Sequence, residues 1–301
     1  MSAKFMTVAL IFGVFSSACS DPKTAANANP GTFTYAPALD RPSHDTMHRL
    51  EEVSIPGTPI RDAEEWTLDF DVVTKKEGDL FKRSLKLVGL KISVNGAELL
   101  KGDEVKATNA TVDILTDKDS KVMDVRGADQ LSGAIVALGA PESQPVLRKV
   151  FSPDRMKLLA AVRSMELHED FVGRPAKVGS QWTAKDPDGG APRQIRVVSE
   201  APCGAQSTCL HVVRQYELDK DAIYAEVSEL VASYVKEQGG DPAAVKVSGM
   251  DVKLEDSLLI EPGTMDYYGA KFDQLATIRV TGPKGELPVS VKVQRQTEVR
   301  F

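Results

Sequence analysis

The last stretch of the chain, VSVKVQRQTEVRF, alternates with a period of two. Val289, Val291, Val293, Thr297, Val299 and Phe301 fall on one side, and Ser290, Lys292, Gln294, Gln296, Glu298 and Arg300 on the other. Successive strand side chains point to opposite faces, so this predicts a long antiparallel strand with one wet face. The same period runs through Leu68, Phe70 and Val72, set against Thr67, Asp69 and Asp71. Leu85 and Leu87 hold one phase, and Leu90, Ile92 and Val94 the other. The slip at Val88-Gly89 marks a bulge. Asn95-Gly96 reads as a two-residue hairpin turn, and Val112 and Ile114 continue the pattern. Gly-Pro-Lys-Gly at 282–285 joins the final strand to one around Leu275 to Val280.

Helical spacing interrupts the strands. Leu131, Ile135 and Leu138 place a helix over 128–138. After a Pro-containing break, FSPDRMKLLAAVRSMEL carries Ser152 as N-cap, Pro153 in the first turn and Asp154 against the helix dipole. A third helix runs from Asp221 to Gln238, with Ile223, Val227, Leu230, Val231 and Tyr234 in one stripe. Strands, two helices, strands, one helix and strands make an α+β fold. The expected architecture is a large curved antiparallel sheet, half-barrel-like, with about three amphipathic helices packed on it. A layout of two halves meeting near 178–184 fits the same order.

The N-terminus fixes the compartment. FMTVALIFGVFSSA, after Lys4, is too short for a comfortable bilayer span of about 20 residues. A positive start, a short apolar centre and a small-residue exit describe a signal peptide over 1–18. Cys19, just after Ser17-Ala18, resembles a bacterial lipobox, which implies cleavage before it and lipid modification of its side chain. Ser16 departs from the aliphatic residue usual there. The alternatives are an ordinary cleaved signal that happens to contain a cysteine and an uncleaved anchor, which the shortness of the run disfavours. Ser20 stands where an Asp is associated with retention at the inner membrane, so the resemblance implies the outer membrane, facing the periplasm. Residues 19–34 are small, polar and turn-forming, and read as a flexible tether to a body over 35–301.

Cys203 and Cys209 bracket a Gly/Ser-containing loop between apolar flanks, a hairpin whose ends can reach disulfide distance. An oxidising compartment permits that bond. The alternatives are a zinc site, for which only His211 is nearby, and a redox pair, which more often has Cys-x-x-Cys spacing. The formal charge of −6 gives no electrostatic reason to bind nucleic acid or an anionic membrane surface, so attachment to a membrane falls to the lipid.

The stretch KVMDVRGADQL…RPAKVGSQW resembles a family of bacterial envelope lipoproteins of unknown function, through Val125, Gly127, Val178, Gly179 and Trp182. It covers about a third of the chain and its motifs are not catalytic. In outline, the layout is also similar to the half-barrel lipoprotein carriers of the envelope, which hold a lipid between sheet and helices.

Candidate chemistry is sparse. His44 and His48 have the i, i+4 spacing that binds metal on a helix, without the glutamate of the zinc-protease motif or a third ligand. A solvated pair is the plainer reading, and no metal, cofactor or catalytic residue is assigned. Trp66, Trp182, Tyr234, Tyr267, Tyr268 and Phe272 line a cavity or fill a core. Two function classes stand: an envelope protein with a non-catalytic binding or scaffold role, its partner another envelope protein, and a carrier or sensor of a hydrophobic small molecule or lipid. For the second, the candidate lining is Ile223, Val227, Leu230 and Tyr234. An unrecognised enzyme is a third, minor alternative.

Overall fold

A computed structural model describes residues 31–54, 61–100, 109–185, 192–203, 207–216, 220–237, 239, 241–283 and 285–300. The first six strands are β1 (Ser43–Ser54), β2 (Arg61–Glu77), β3 (Leu80–Val94), β4 (Ala97–Leu100), β5 (Thr111–Thr116) and β6 (Val122–Arg126). Three helices follow, α1 (Ala128–Leu138), α2 (Gln144–Val150) and α3 (Pro153–Phe171). Then come β7 (Gln181–Ala184), β8 (Arg193–Cys203), β9 (Ser207–Tyr216), α4 (Lys220–Glu237), β10 (Lys246–Ile260), β11 (Tyr267–Gly282) and β12 (Gly285–Arg300). A short 3-10 turn, Pro242–Ala244, leads into β10.

The expected element order holds, with additions. Strand β1 covers the stretch read above only as a solvated histidine pair, β10 was not anticipated, and α2 occupies the Pro-containing break, with Pro145 in its first turn. All twelve strands form one open antiparallel sheet in the order β6-β5-β3-β2-β1-β12-β11-β10-β9-β8-β7, with β4 on β3. The bulge sits at Val88: Asp69 pairs with Gly89 and Phe70 with Leu87, so Leu85, Leu87, Leu90 and Ile92 are all buried. Asn95 and Gly96 both have positive φ (54° and 77°), the mirror-image turn that suits strand twist. On β12, Val293, Thr297 and Val299 are buried while Gln296, Glu298 and Arg300 are exposed, and Arg295 completes the buried face. Phe301 lies outside the described residues.

The sheet is forced to bend. Phe33 packs its ring 6.1 Å from that of Trp182 on β7, while Tyr35 shares a 3.0 Å hydrogen bond with Thr116 on β5. Nine strand-to-strand steps separate β5 from β7, about 43 Å in a flat sheet. Residues 33 and 35 are about 7 Å apart along the chain, so the two edges must curl toward each other. Helix α3 repeats the constraint two residues apart: the His168 ring bonds the Asp119 carbonyl beside β6, and Asp170 holds arginines on β8 and β9.

Gly31 to Thr34, assigned above to the tether, belong to the body. Phe33 exchanges backbone bonds with Arg174 (2.8 Å) and Gly173 (3.0 Å), and the Thr34 amide donates to the Pro262 carbonyl at 2.9 Å. Phe33 was counted as tether because its neighbours are polar, yet it is 1% exposed, wedged against Phe171 and Trp182. The buried apolar side chains fall into two clusters. One spans β1 to β5 with α1, α2 and Met156. The other spans β7 to β11 with Phe33, Leu167 and Phe171. They part within α3, which feeds both, and 178–184 holds the edge strand β7 and its approach rather than a junction of halves.

Phe33→Ala removes an aromatic ring from this closure and should cost about 3–5 kcal/mol, read as a lower urea midpoint with an unchanged slope.

Candidate ligand-binding face

The strand register lays out the concave face row by row. Its middle row reads Trp66, Arg49, Arg295, Phe272, Asp256, Arg214, Ile195 and Trp182 across β2, β1, β12, β11, β10, β9, β8 and β7. Five of those eight positions carry charge or sit in a polar network, unusual for the buried side of a sheet.

The charges form three groups. The first is closed: the Asp170 carboxylate accepts from Arg193 (2.9 Å) and Arg214 (3.0 Å), and Asp256 accepts from Arg214 (2.7 Å) and the Tyr216 hydroxyl (2.7 Å). Two cations meet two anions, and the network pins the end of α3 to β8, β9 and β10. Burial pushes the Asp170 carboxyl up, and the two guanidiniums oppose that shift. The Trp182 indole N–H donates to the Asp170 carbonyl at 2.7 Å.

The second group lies at the closed end of the sheet. Asp45 accepts from Arg83 (2.8 Å) and Ser43 (3.1 Å). Nearby Asp266 is fully buried, and neither carboxylate oxygen has a hydrogen-bond partner among the described residues. Burial and the Glu261 carboxylate push it well above the usual carboxylate range. The third group is at the other end of the middle row. Arg49 donates to Glu51 at 2.5 Å and lies 6.0 Å from the Trp66 ring, which also meets the Phe151 ring at 6.3 Å. Glu51 stands directly opposite Glu64. Arg155, in the first turn of α3, lies close enough to feel Arg49, Glu64 and Glu51. Burial pushes the Glu64 carboxyl up, against the pull of Arg49. Arg295 stacks 4.8 Å from the Phe272 ring.

Beyond this third group, β10, β11 and β12 run on past the described ends of β7, β8 and β9, while β1 and β2 continue beside β12 through the Val53–Val291 pair. Val252, Ala276 and Val291 form one row there, and Met250, Ile278 and Val289 the next. Ala276 and Ile278 are buried and the other four half-buried, yet none belongs to either core cluster. Helix α4 packs against β10 here, with the Tyr224 hydroxyl donating to the Val247 carbonyl. Of the expected lining, Val227 is half-buried on α4, and the side chains of Ile223, Leu230 and Tyr234 lie outside the described residues. The strand residues of this face were missed. Their signal was an arginine at 295, in phase with the valines around it.

Other sequence sites resolve differently. His44 and His48 sit on β1, where four residues span about 13 Å, so they cannot share a metal. His44 bonds Asp71 at 3.1 Å and His48 bonds Glu65 at 2.8 Å. Among the described residues no cluster of metal-ligating side chains occurs. Cys203 and Cys209 form a disulfide near the end of the β8–β9 hairpin, Cα–Cα 5.6 Å. Cys19 lies outside the described residues, and no described helix is long and apolar enough to cross a membrane. Gly127 has φ +81°, and a Cβ there would collide with the Thr111 carbonyl. Trp66 and Tyr267 belong to the cores, and Trp182 packs against the second.

No family model and no curated protein matches the chain. Among solved structures, a lipovitellin studied for lipid–protein interactions aligns at 10% identity and TM-score 0.45, over 86% of this chain and 25% of that one. This chain thus spans a quarter of that protein's length. A DUF1329 family protein from Desulfovibrio piger aligns at 8% identity and TM-score 0.15, over 86% and 85% of the two chains. A putative outer membrane lipoprotein-sorting protein domain from Vibrio parahaemolyticus aligns at 9% and 0.16, over 85% of each. None of these likenesses reaches the level at which a common fold is shown.

Asp266 gives a pH test. Its raised folded pKa means its proton favours the native state at low pH, and that contribution is lost as pH rises through the folded pKa. Asp266→Asn should therefore gain stability relative to wild type as pH increases from 4 to 8, measured as urea midpoints across that range.

Proposed function

We propose that the chain is a non-catalytic envelope lipoprotein that binds a hydrophobic ligand on the open part of its concave face, beside α4. The observation that supports this is the apolar row of Val252, Ala276 and Val291, half-buried at both valines, which belongs to neither core cluster. In the same reading Cys19 carries the lipid that holds the body at the outer membrane, and the disulfide is suited to the periplasm.

The neutral fluorophore N-phenylnaphthylamine tests the ligand site. Its emission should rise on mixing with the full-length protein, and Val291→Asp should reduce the rise several-fold while leaving the far-UV circular dichroism unchanged. Absence of binding by the wild type would leave the scaffold reading in its place. Attachment is tested separately. Cys19→Ala should move the protein from the membrane fraction to the soluble one, and sedimentation with membranes after a carbonate wash would contradict the lipid anchor.

A further inference from the structure

The turn between β10 and β11, residues 261–266, is one of the points that hold the inserted segment in place. The Glu261 amide donates to the Asp266 carbonyl at 2.9 Å, and the Met265 amide donates to the Glu261 carbonyl at 2.8 Å. Within the turn, the Thr264 hydroxyl donates to the Glu261 carboxylate and accepts from the Asp266 amide, both at 3.1 Å. Met265 has φ 58°, an uncommon conformation for a residue other than glycine, and one that persists only where the surroundings enforce it. The Pro262 carbonyl of the same turn receives the Thr34 amide at 2.9 Å. The next residue, Tyr35, carries the hydrogen bond to Thr116 of β5.

Asp266 closes this turn with a fully buried side chain, and neither carboxylate oxygen has a hydrogen-bond partner among the described residues. Such a group is tolerated neutral and is costly when charged. The charged and titratable groups around it are Glu261 in its own turn, Arg83 on β3, Arg41 ahead of β1 and Tyr35 in the inserted segment. The Arg83 charge already meets Asp45 at 2.8 Å. Both arginines act on Asp266 more weakly than Glu261, which opposes ionisation. A charged Asp266 therefore gains hydration by opening the turn, and an open turn no longer presents the Pro262 carbonyl to Thr34.

We propose that this turn is a pH-operated latch: ionisation of the unpartnered Asp266 opens it and frees Thr34 and Tyr35, loosening the closure of the two sheet edges. The closed form holds the proton, and the open form releases it above about pH 4. Closure is firmest at low pH and is lost as pH rises through the pKa of the closed form. The latch stands apart from any ligand on the apolar rows.

Hydrogen exchange in the full-length protein, followed at the Phe33 and Thr34 amides from about pH 5 to about pH 8, tests it, because hydrogen-bonded amides exchange only on opening. In the wild type, exchange there should rise by up to about tenfold per pH unit beyond the hydroxide-catalysed rise of an unstructured peptide, the slope of one proton released on opening. Asp266→Asn should abolish that excess. Glu261→Gln, which removes the carboxylate that pushes Asp266 up, should make the excess level off at a lower pH. Both amides should exchange faster than that of Leu258, which lies in the interior of β10 between β9 and β11 and opens with the whole fold. Exchange at Phe33 and Thr34 no faster than at Leu258 would assign the excess to global unfolding and overturn the latch. So would a wild type without the excess, or an excess that survives in Asp266→Asn. Exchange that falls behind the peptide rate as pH rises would mean that the arginines capture the ionised carboxylate, and would reverse the proposal.

Discussion

Everything in this molecule follows from the curling of one sheet until its two edges share a single short segment of chain. Phe33 reaches β7 and Tyr35 reaches β5, and no flat arrangement lets neighbours on a chain touch strands nine places apart. The edges are short, five residues in β6 and four in β7. Short edge strands limit pairing with another chain. Helix α3 is the second brace. It crosses the hollow and is bonded at its end to both sides. Bending divides the apolar interior into two cores, because the helix that fills the hollow has only one side for each wall.

The buried charges are not equivalent. Asp170, Arg193, Arg214 and Asp256 satisfy one another, and such a network adds geometric definition more than net stability. Asp266, at the closed end, is buried without hydrogen bonds to its carboxylate and is better off neutral. The arginine-rich group near the open end is of a third kind. It mixes both signs, and it adjoins apolar side chains outside both core clusters.

Much of the frame was legible from alternation alone. The bulge at Val88, the turn at Asn95-Gly96, the helix at 128–138 and the wet face of β12 all follow from local rules that tertiary packing did not override. Strand β1 was not legible, because its buried positions are Ser43, Asp45, Met47 and Glu51, and a polar inward face erases the period-two signal. The edge-closing role of Phe33 was hidden for the opposite reason: one apolar residue among polar ones has no period at all. The candidate site was the least legible part. Arg49 and Arg295 face each other only through a pairing of strands from opposite ends of the chain. The expected lining on α4 concerned the cover, whereas the described surface is on the strands.

The inserted segment at Gly31 to Tyr35 also sets a direction. It enters at the end of the sheet marked by Thr74 and Pro262, while the apolar rows lie toward the far tips of β11 and β12. From Val299 to Leu287 along β12 is about 40 Å, which is as far as the twelve residues from Cys19 to Gly31 can stretch. For a body moored at Cys19, the chain would join the body at its closed end, and the open rim would lie a full strand length farther along the molecule.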